Sequence, residues 1–221
     1  MEQIFTFSYL GNDPELRARR LIAHRTQMRR LVEIFPFNTI LHLGMCYTEE
    51  EKTLIEFPNT HHVWTDKRLS MAAARNWALR QHYSGAGEPS YLLICDDDAH
   101  PWDKEGVTPS SSDIVKVLLN DNTGCRRGFR PHVVSCMDVY RNYFFEKTLR
   151  ILSQQDNAVL FDYEGVMLKG SVMLVRSDCG VLFREDLTFM EESYWRMDCM
   201  AANKQVWRCS HLLLHESLRK E

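Results

Sequence analysis

Tyr91-Leu92-Leu93-Ile94-Cys95-Asp96-Asp97-Asp98 is a short, largely apolar run that passes without a break into three carboxylates. The run has the length of a strand buried on both faces, as in a parallel sheet covered by helices. An open parallel sheet takes its ligands beyond the carboxyl ends of its strands. Adjacent carboxylates there repel one another and are best tolerated beside a cation. Hard oxygen donors select Mg2+ or Mn2+, ions that also bridge protein carboxylates to phosphates. A solvated acidic loop is the plainer reading of the same residues.

Working outward towards the amino terminus, strand and helix patterns alternate. Residues 4–10 read as a first strand, and Gly11-Asn12-Asp13-Pro14 follows, with Asp13 placed to cap a helix and Pro14 in its first turn. Leu21, Met28, Leu31, Val32 and Phe35 recur at helical spacing, and the opposite face carries Arg17, Arg19, Arg20, Arg25, Arg29 and Arg30. Residues 39–44 form a second strand pattern, Thr48 and Glu51 a capping box, and residues 62–64 a third strand. Ser70 to His82 is helix-forming and ends at the Gly- and Pro-containing stretch 84–89. This alternation predicts an α/β fold with a doubly wound, mostly parallel central sheet and helices on both faces.

Beyond the carboxylates the pattern is less regular. Residues 108–112 read as a polar loop and 113–119 as a helix. Strands are expected over 132–137, 159–161, 166–175 and 206–215, with a helix over 190–202. No repeat, low-complexity tract or linker divides the 221 residues, so one fused domain over 1–221 is expected.

Composition narrows the class. Hydrophobic residues make up 44% and charged residues 26%, which excludes a disordered or collagen-like chain. No apolar run approaches the roughly 18 residues of a membrane span. The amino terminus lacks a signal-peptide layout, so the expected location is the cytoplasm, or the host cytoplasm if the protein is viral. A net charge of −3 argues against overall positive charge as the means of holding nucleic acid. The 7 cysteines are odd in number and scattered, as in reduced intracellular proteins. Cys199, Cys209, His211 and His215 carry only a faint flavour of a zinc site.

Three blocks together resemble nucleotide-sugar glycosyltransferases of the GT-A fold, family 2-like. The first is Ser70-Met71-Ala72-Ala73-Ala74-Arg75-Asn76-Trp77-Ala78-Leu79, similar to the family's small-residue helix with its Arg-Asn pair. The second is the strand ending in Asp96-Asp97-Asp98, which resembles the D-x-D motif. The third is Phe189-Met190-Glu191-Glu192-Ser193-Tyr194-Trp195-Arg196, similar to the Glu-Asp signature opening the acceptor-side helix, with His215 (or His211) after the last strand. The second strand ends Leu43-Gly44-Met45-Cys46 where the family commonly has acids, so nucleotide contacts there must differ.

The resemblance implies a nucleotide-sugar-binding half over about 1–100 and an acceptor-binding, catalytic half over about 101–221. It implies Mn2+ or Mg2+ held by Asp98 and Asp96, with His215 as a further ligand. Tyr9, Asp66, Arg75, Asp96 and Asp97 would contact the nucleotide-diphosphate sugar. Glu192, with Glu191 as its neighbour, would be the general base. The implied reaction moves a sugar to an acceptor hydroxyl, by inverting single displacement. Trp102, Trp195, Arg126 and Arg127 are candidate acceptor contacts. The acceptor would be a glycan or other hydroxyl compound, and the arginine clusters leave a nucleic acid such as modified DNA open. Asp96–Asp98 alone would equally serve a metal-dependent phosphohydrolase or nucleotidyltransferase, and a non-catalytic nucleotide-sugar-binding module is a third reading.

Overall fold

The computed structural model describes residues 3–85, 87–97, 99–103, 131–138, 172–187 and 189–216, with the backbone alone for 99–103, 136–138 and 207–216. Asp98, Arg126, Arg127, the expected helix 113–119 and the expected strand 159–161 lie outside the described residues.

The chain opens with strand β1 (Gln3–Tyr9) and helix α1 (Pro14–Ile34), then β2 (Thr39–Met45), α2 (Glu49–Leu54), β3 (Thr60–Thr65), α3 (Met71–Tyr83) and β4 (Tyr91–Cys95). It continues with β5 (Ala99–Asp103), β6 (Val133–Asp138), β7 (Val172–Arg176), helix α4 (Glu191–Ala201) and β8 (Val206–Glu216). The strands form one sheet in the order β3-β2-β1-β4-β7-β6-β8-β5. β3, β2, β1 and β4 are parallel neighbours, and β8 is parallel to β6. β7 runs antiparallel between β4 and β6, and β5 runs antiparallel along β8. The mostly parallel α/β sheet is as expected. The reversal at β7 and the strand β5 were not foreseen, because alternation in sequence does not report strand direction.

The local signals act as read. Asp13 accepts the Leu16 N–H at 2.8 Å and caps α1, with Pro14 in its first turn. Thr48 and Glu51 close both halves of a capping box on α2, satisfying donors that a helix start otherwise leaves bare. Ser70 caps α3 through the Ala73 N–H.

Strand alternation divides the core in two. Ile4, Leu93 and Cys95 face α1, against Met28, Leu31, Ile34 and Phe35. Phe5, Phe7, Leu92 and Ile94 face the other way, against Ala74, Ala78 and Leu79 of α3 and Trp195 and Cys199 of α4. Both faces are therefore covered, which is why β4 reads as a continuous apolar run. Among the described residues no helix is long and apolar enough to cross a membrane.

Candidate active site

Parallel pairing gathers the carboxyl ends of β1, β2 and β3 at one edge, since Tyr9 pairs with Met45 and Met45 with Thr65. Asp96 follows β4 at the same edge. Tyr9 is half-buried and the Arg68 guanidinium lies 4.7 Å from its ring centre. Asp66 is exposed just past β3.

The centre of the site is Arg75. It projects from α3 with no exposed surface. Its Nη2 lies 3.1 Å from Asp96 and 3.1 Å from Glu192, and its Nη1 lies 3.6 Å from Glu191. The carboxylate after β4 and both acids of α4 thus meet on one guanidinium. Burial works against the charge of Arg75, but Asp96, Glu192 and Glu191 outweigh it and raise its pKa. Glu192 is pushed up from the ordinary glutamate value, first by burial and then by the Asp96 and Glu191 charges, against the opposing pull of Arg75. A carboxylate made more basic in this way is suited to accept a proton.

Asn76, the next residue, fixes the segment that leads towards α4. Its Nδ2 donates to the Phe183 carbonyl at 2.9 Å and to Glu185 at 2.8 Å, and its Oδ1 accepts the Phe183 N–H at 2.7 Å. Met190, immediately before α4, adopts φ 59°. A left-handed methionine is strained by about 1–2 kcal/mol, and here it sits at the turn that delivers Glu191 and Glu192. Those acids then lie in the first turn of α4, where the helix dipole favours negative charge.

From the opposite face, α1 clamps the backbone of the Asp96 turn. Gln27, fully buried, donates to the Asp96 carbonyl, and His24 Nδ1 is 3.2 Å from the Asp97 carbonyl. His24 contacts His42 of β2, which contacts His62 of β3.

Two expectations need correction. Arg75 was expected beside the nucleotide, but it has no surface to offer a ligand and holds carboxylates instead. Trp195 was a candidate acceptor contact. It is fully buried, stacked on Phe183 at 4.4 Å between ring centres, with Nε1 donating to the Val181 carbonyl. It is a core residue. Asp98, Arg126 and Arg127 are not described, and only the backbone places Trp102 and His215, on β5 and β8.

Asp96 carries hard oxygens of the kind a divalent ion takes, and both lie within hydrogen-bond reach of Arg75 Nη2. Among the described residues no group of three or more His, Cys, Asp or Glu side chains is arranged to hold a metal ion. Asp98 and the His215 side chain would have to complete a site.

Half of the arginine face on α1 is used by the fold itself. Arg17 binds Glu51 and the Gly11 and Cys46 carbonyls, Arg20 donates to the Tyr9 carbonyl, and Arg30 pairs with Glu33. Arg19, Arg25 and Arg29 remain exposed. A groove of about 430 Å³ lies at the other end of the sheet, between Phe37, Asn38, Asn59 and His61, away from the carboxylates.

Sequence reasoning missed the buried role of Arg75 and the histidines altogether. A signal was present: Ala72, Arg75, Asn76 and Leu79 fall at i, i+3, i+4 and i+7, the core stripe of α3. A charged residue on such a stripe must be paired. His24 and Gln27 lie among the apolar core positions Met28 and Leu31 on α1 in the same way.

No protein-family model matches the chain, and no curated protein matches it by sequence. Solved structures similar to it include these three. Staphylococcus aureus TarS (residues 1–349) superposes with a TM-score of 0.56 at 12% identity, covering 96% of this chain and 60% of that one. A mycobacterial protein gives 0.55 at 11% identity, covering 99% and 68%. A proposed nucleotide-diphospho-sugar transferase from Desulfovibrio desulfuricans G20 gives 0.51 at 10% identity, covering 94% and 78%. The chain therefore spans about three fifths of the length of the TarS structure. These likenesses establish the fold, which is GT-A.

Proposed function

We propose that this GT-A chain is a glycosyltransferase, moving a sugar from a nucleotide-diphosphate sugar to an acceptor hydroxyl. The observation that supports this reading best is the convergence of Asp96, Glu191 and Glu192 on buried Arg75. A donor-side carboxylate and an acceptor-side base are thereby held in fixed relation, as a displacement between two bound substrates requires.

Tyr9 and Asp66 line the donor end, with Asp97 in the turn after β4. A divalent ion, Mn2+ or Mg2+, held by Asp96 and Asp98 with His215, would neutralise charge on the departing diphosphate. Glu192 takes the proton of the acceptor hydroxyl as its oxygen bonds to the anomeric carbon. The bond from that carbon to the diphosphate oxygen breaks, and its electron pair leaves with the nucleoside diphosphate. Attack opposite the leaving group inverts the anomeric centre. Arg75 keeps Glu192 and Asp96 in place and offsets their mutual repulsion.

Trp102, Arg126 and Arg127 are proposed acceptor contacts, and the acceptor is a glycan or another hydroxyl compound. The protein is assigned to the cytoplasm, acting as one domain. The test is turnover: incubation with UDP-, GDP-, dTDP- and CDP-sugars and Mn2+, with released nucleotide quantified. Slow release from one donor, lost in Asp96→Asn and slowed by roughly 100-fold or more in Glu192→Gln, is expected. Release that persists in Glu192→Gln at the wild-type rate contradicts the assignment of the base.

A further inference from the structure

Three histidines from three elements form a continuous chain behind the candidate site. His62 Nδ1 lies 2.9 Å from His42 Nδ1, His42 Nε2 lies 3.1 Å from His24 Nε2, and His24 Nδ1 lies 3.2 Å from the Asp97 carbonyl. His24 and His42 are fully buried. Ser8 and Tyr47 border the chain, with Ser8 Oγ 2.9 Å from His42 Nε2 and 2.7 Å from Tyr47 Oη. Trp64 stacks on His62 and meets His42 edge-on.

The proton positions follow from the geometry. A carbonyl only accepts, so His24 carries its proton on Nδ1. Neutral His24 then accepts at Nε2, and His42 must donate from its own Nε2. Neutral His42 accepts at Nδ1, and His62 donates from Nδ1. His62 Nε2 is left as a lone pair, and it is a buried atom with no hydrogen-bond partner among the described residues. The opposite order sets two lone pairs face to face at the His24–Asp97 contact and leaves a buried, unpartnered N–H on His62. Any mixed order with every contact made puts a full charge on a buried imidazole. Burial lowers the pKa of all three rings, in keeping with neutral forms.

We infer that His24, His42 and His62 are positioning residues of the proposed donor site, a chain of neutral imidazoles polarised towards Asp97 that fixes its carbonyl and the turn starting at Asp96. This rests on the donor-site reading of that turn. It adds residues that touch no substrate and act through the Asp97 backbone. Gln27 on the Asp96 carbonyl is the neighbouring clamp, so two successive carbonyls are held from α1.

The test uses the full chain with 15N-labelled histidine and 13C-labelled carbonyls. At neutral pH, nitrogen shifts should place the proton on Nδ1 of His24 and His62 and on Nε2 of His42. His24→Asn keeps a donor near the Nδ1 position, whereas His24→Leu removes it. The Asp97 carbonyl shift should stay close to wild type in the first variant and move in the second. Affinity for the nucleotide-diphosphate sugar that binds should fall about 10-fold in His24→Leu and recover to within about 3-fold in His24→Asn, the scale of one hydrogen bond. An imidazolium, the reverse proton order, or wild-type affinity in His24→Leu overturns the inference. Failure of the wild type to bind any nucleotide sugar refutes the donor-site reading, and the proton order and carbonyl shift then decide the histidine chain alone. A His24→Leu chain that does not fold leaves the wild-type proton order as the deciding result.

Discussion

Arg75 Nη2 lies 3.1 Å from the Asp96 carboxylate, and no part of Arg75 reaches solvent. One end of this contact belongs to the turn after β4, the other to the core stripe of α3. The same guanidinium reaches Glu192 at the start of α4. The two sides of the candidate site are therefore joined through a fully buried residue.

Replacing Arg75 by Met should cost about 3–5 kcal/mol of stability, because it strands paired carboxylates in a desolvated place. Urea denaturation measures this directly. A loss within 1 kcal/mol would mean that the acids are solvated and the guanidinium is not their main support.

Glu192→Gln should slow transfer by roughly 100-fold or more while leaving donor affinity almost unchanged. The pH dependence has a definite sign. The base works deprotonated, and its pKa is raised by burial, so kcat/KM should fall on the acid side at a pH above the ordinary glutamate value. An acid limb at or below that value would argue that another group takes the proton.

Stability should also fall with acid through the histidines. Burial draws His24 down to about 4 from an ordinary value of 6.5. Between these values the unfolded chain binds more protons, so stability is fully present above pH 6.5 and lost as pH falls towards 4. For His24 alone the loss is on the order of 3 kcal/mol. Denaturation midpoints across this range measure the slope, and His24→Asn should flatten it.

Gly44→Ala should destabilise by about 1–3 kcal/mol through overpacking. A Cβ at this position would lie 2.2 Å from the Trp64 ring, which itself packs on His42 and His62. The variant's histidine nitrogen shifts should move as well. An unchanged melting point with unchanged shifts would show that Trp64 can step aside.

How far the sequence could be read follows from how local each signal is. β4 with Asp96 directly after it, the Asp13 cap and the Thr48–Glu51 box each lie within a few residues, and all are found in place. The histidines lie 18 and 20 residues apart on different elements. Only the register of β2 on β3, which sets His42 beside His62, brings two of them together. That register is a property of the folded sheet, so no spacing rule reveals it. Trp195 was open for a related reason: its type fits either a sugar platform or the core, and its packing against Phe183 assigns it to the core. Arg75 was legible in position but not in role, since its partners lie 21 or more residues away in sequence.

The most direct measurement is a thermal-shift comparison of UDP-, GDP-, dTDP- and CDP-sugars, each with Mn2+ or with EDTA. At about 100 times its dissociation constant a true donor stabilises by roughly 2.7 kcal/mol. The account predicts a shift with one nucleotide class that requires the metal and is lost in Asp96→Asn. Stabilisation by metal alone, with no response to any nucleotide sugar, would contradict it.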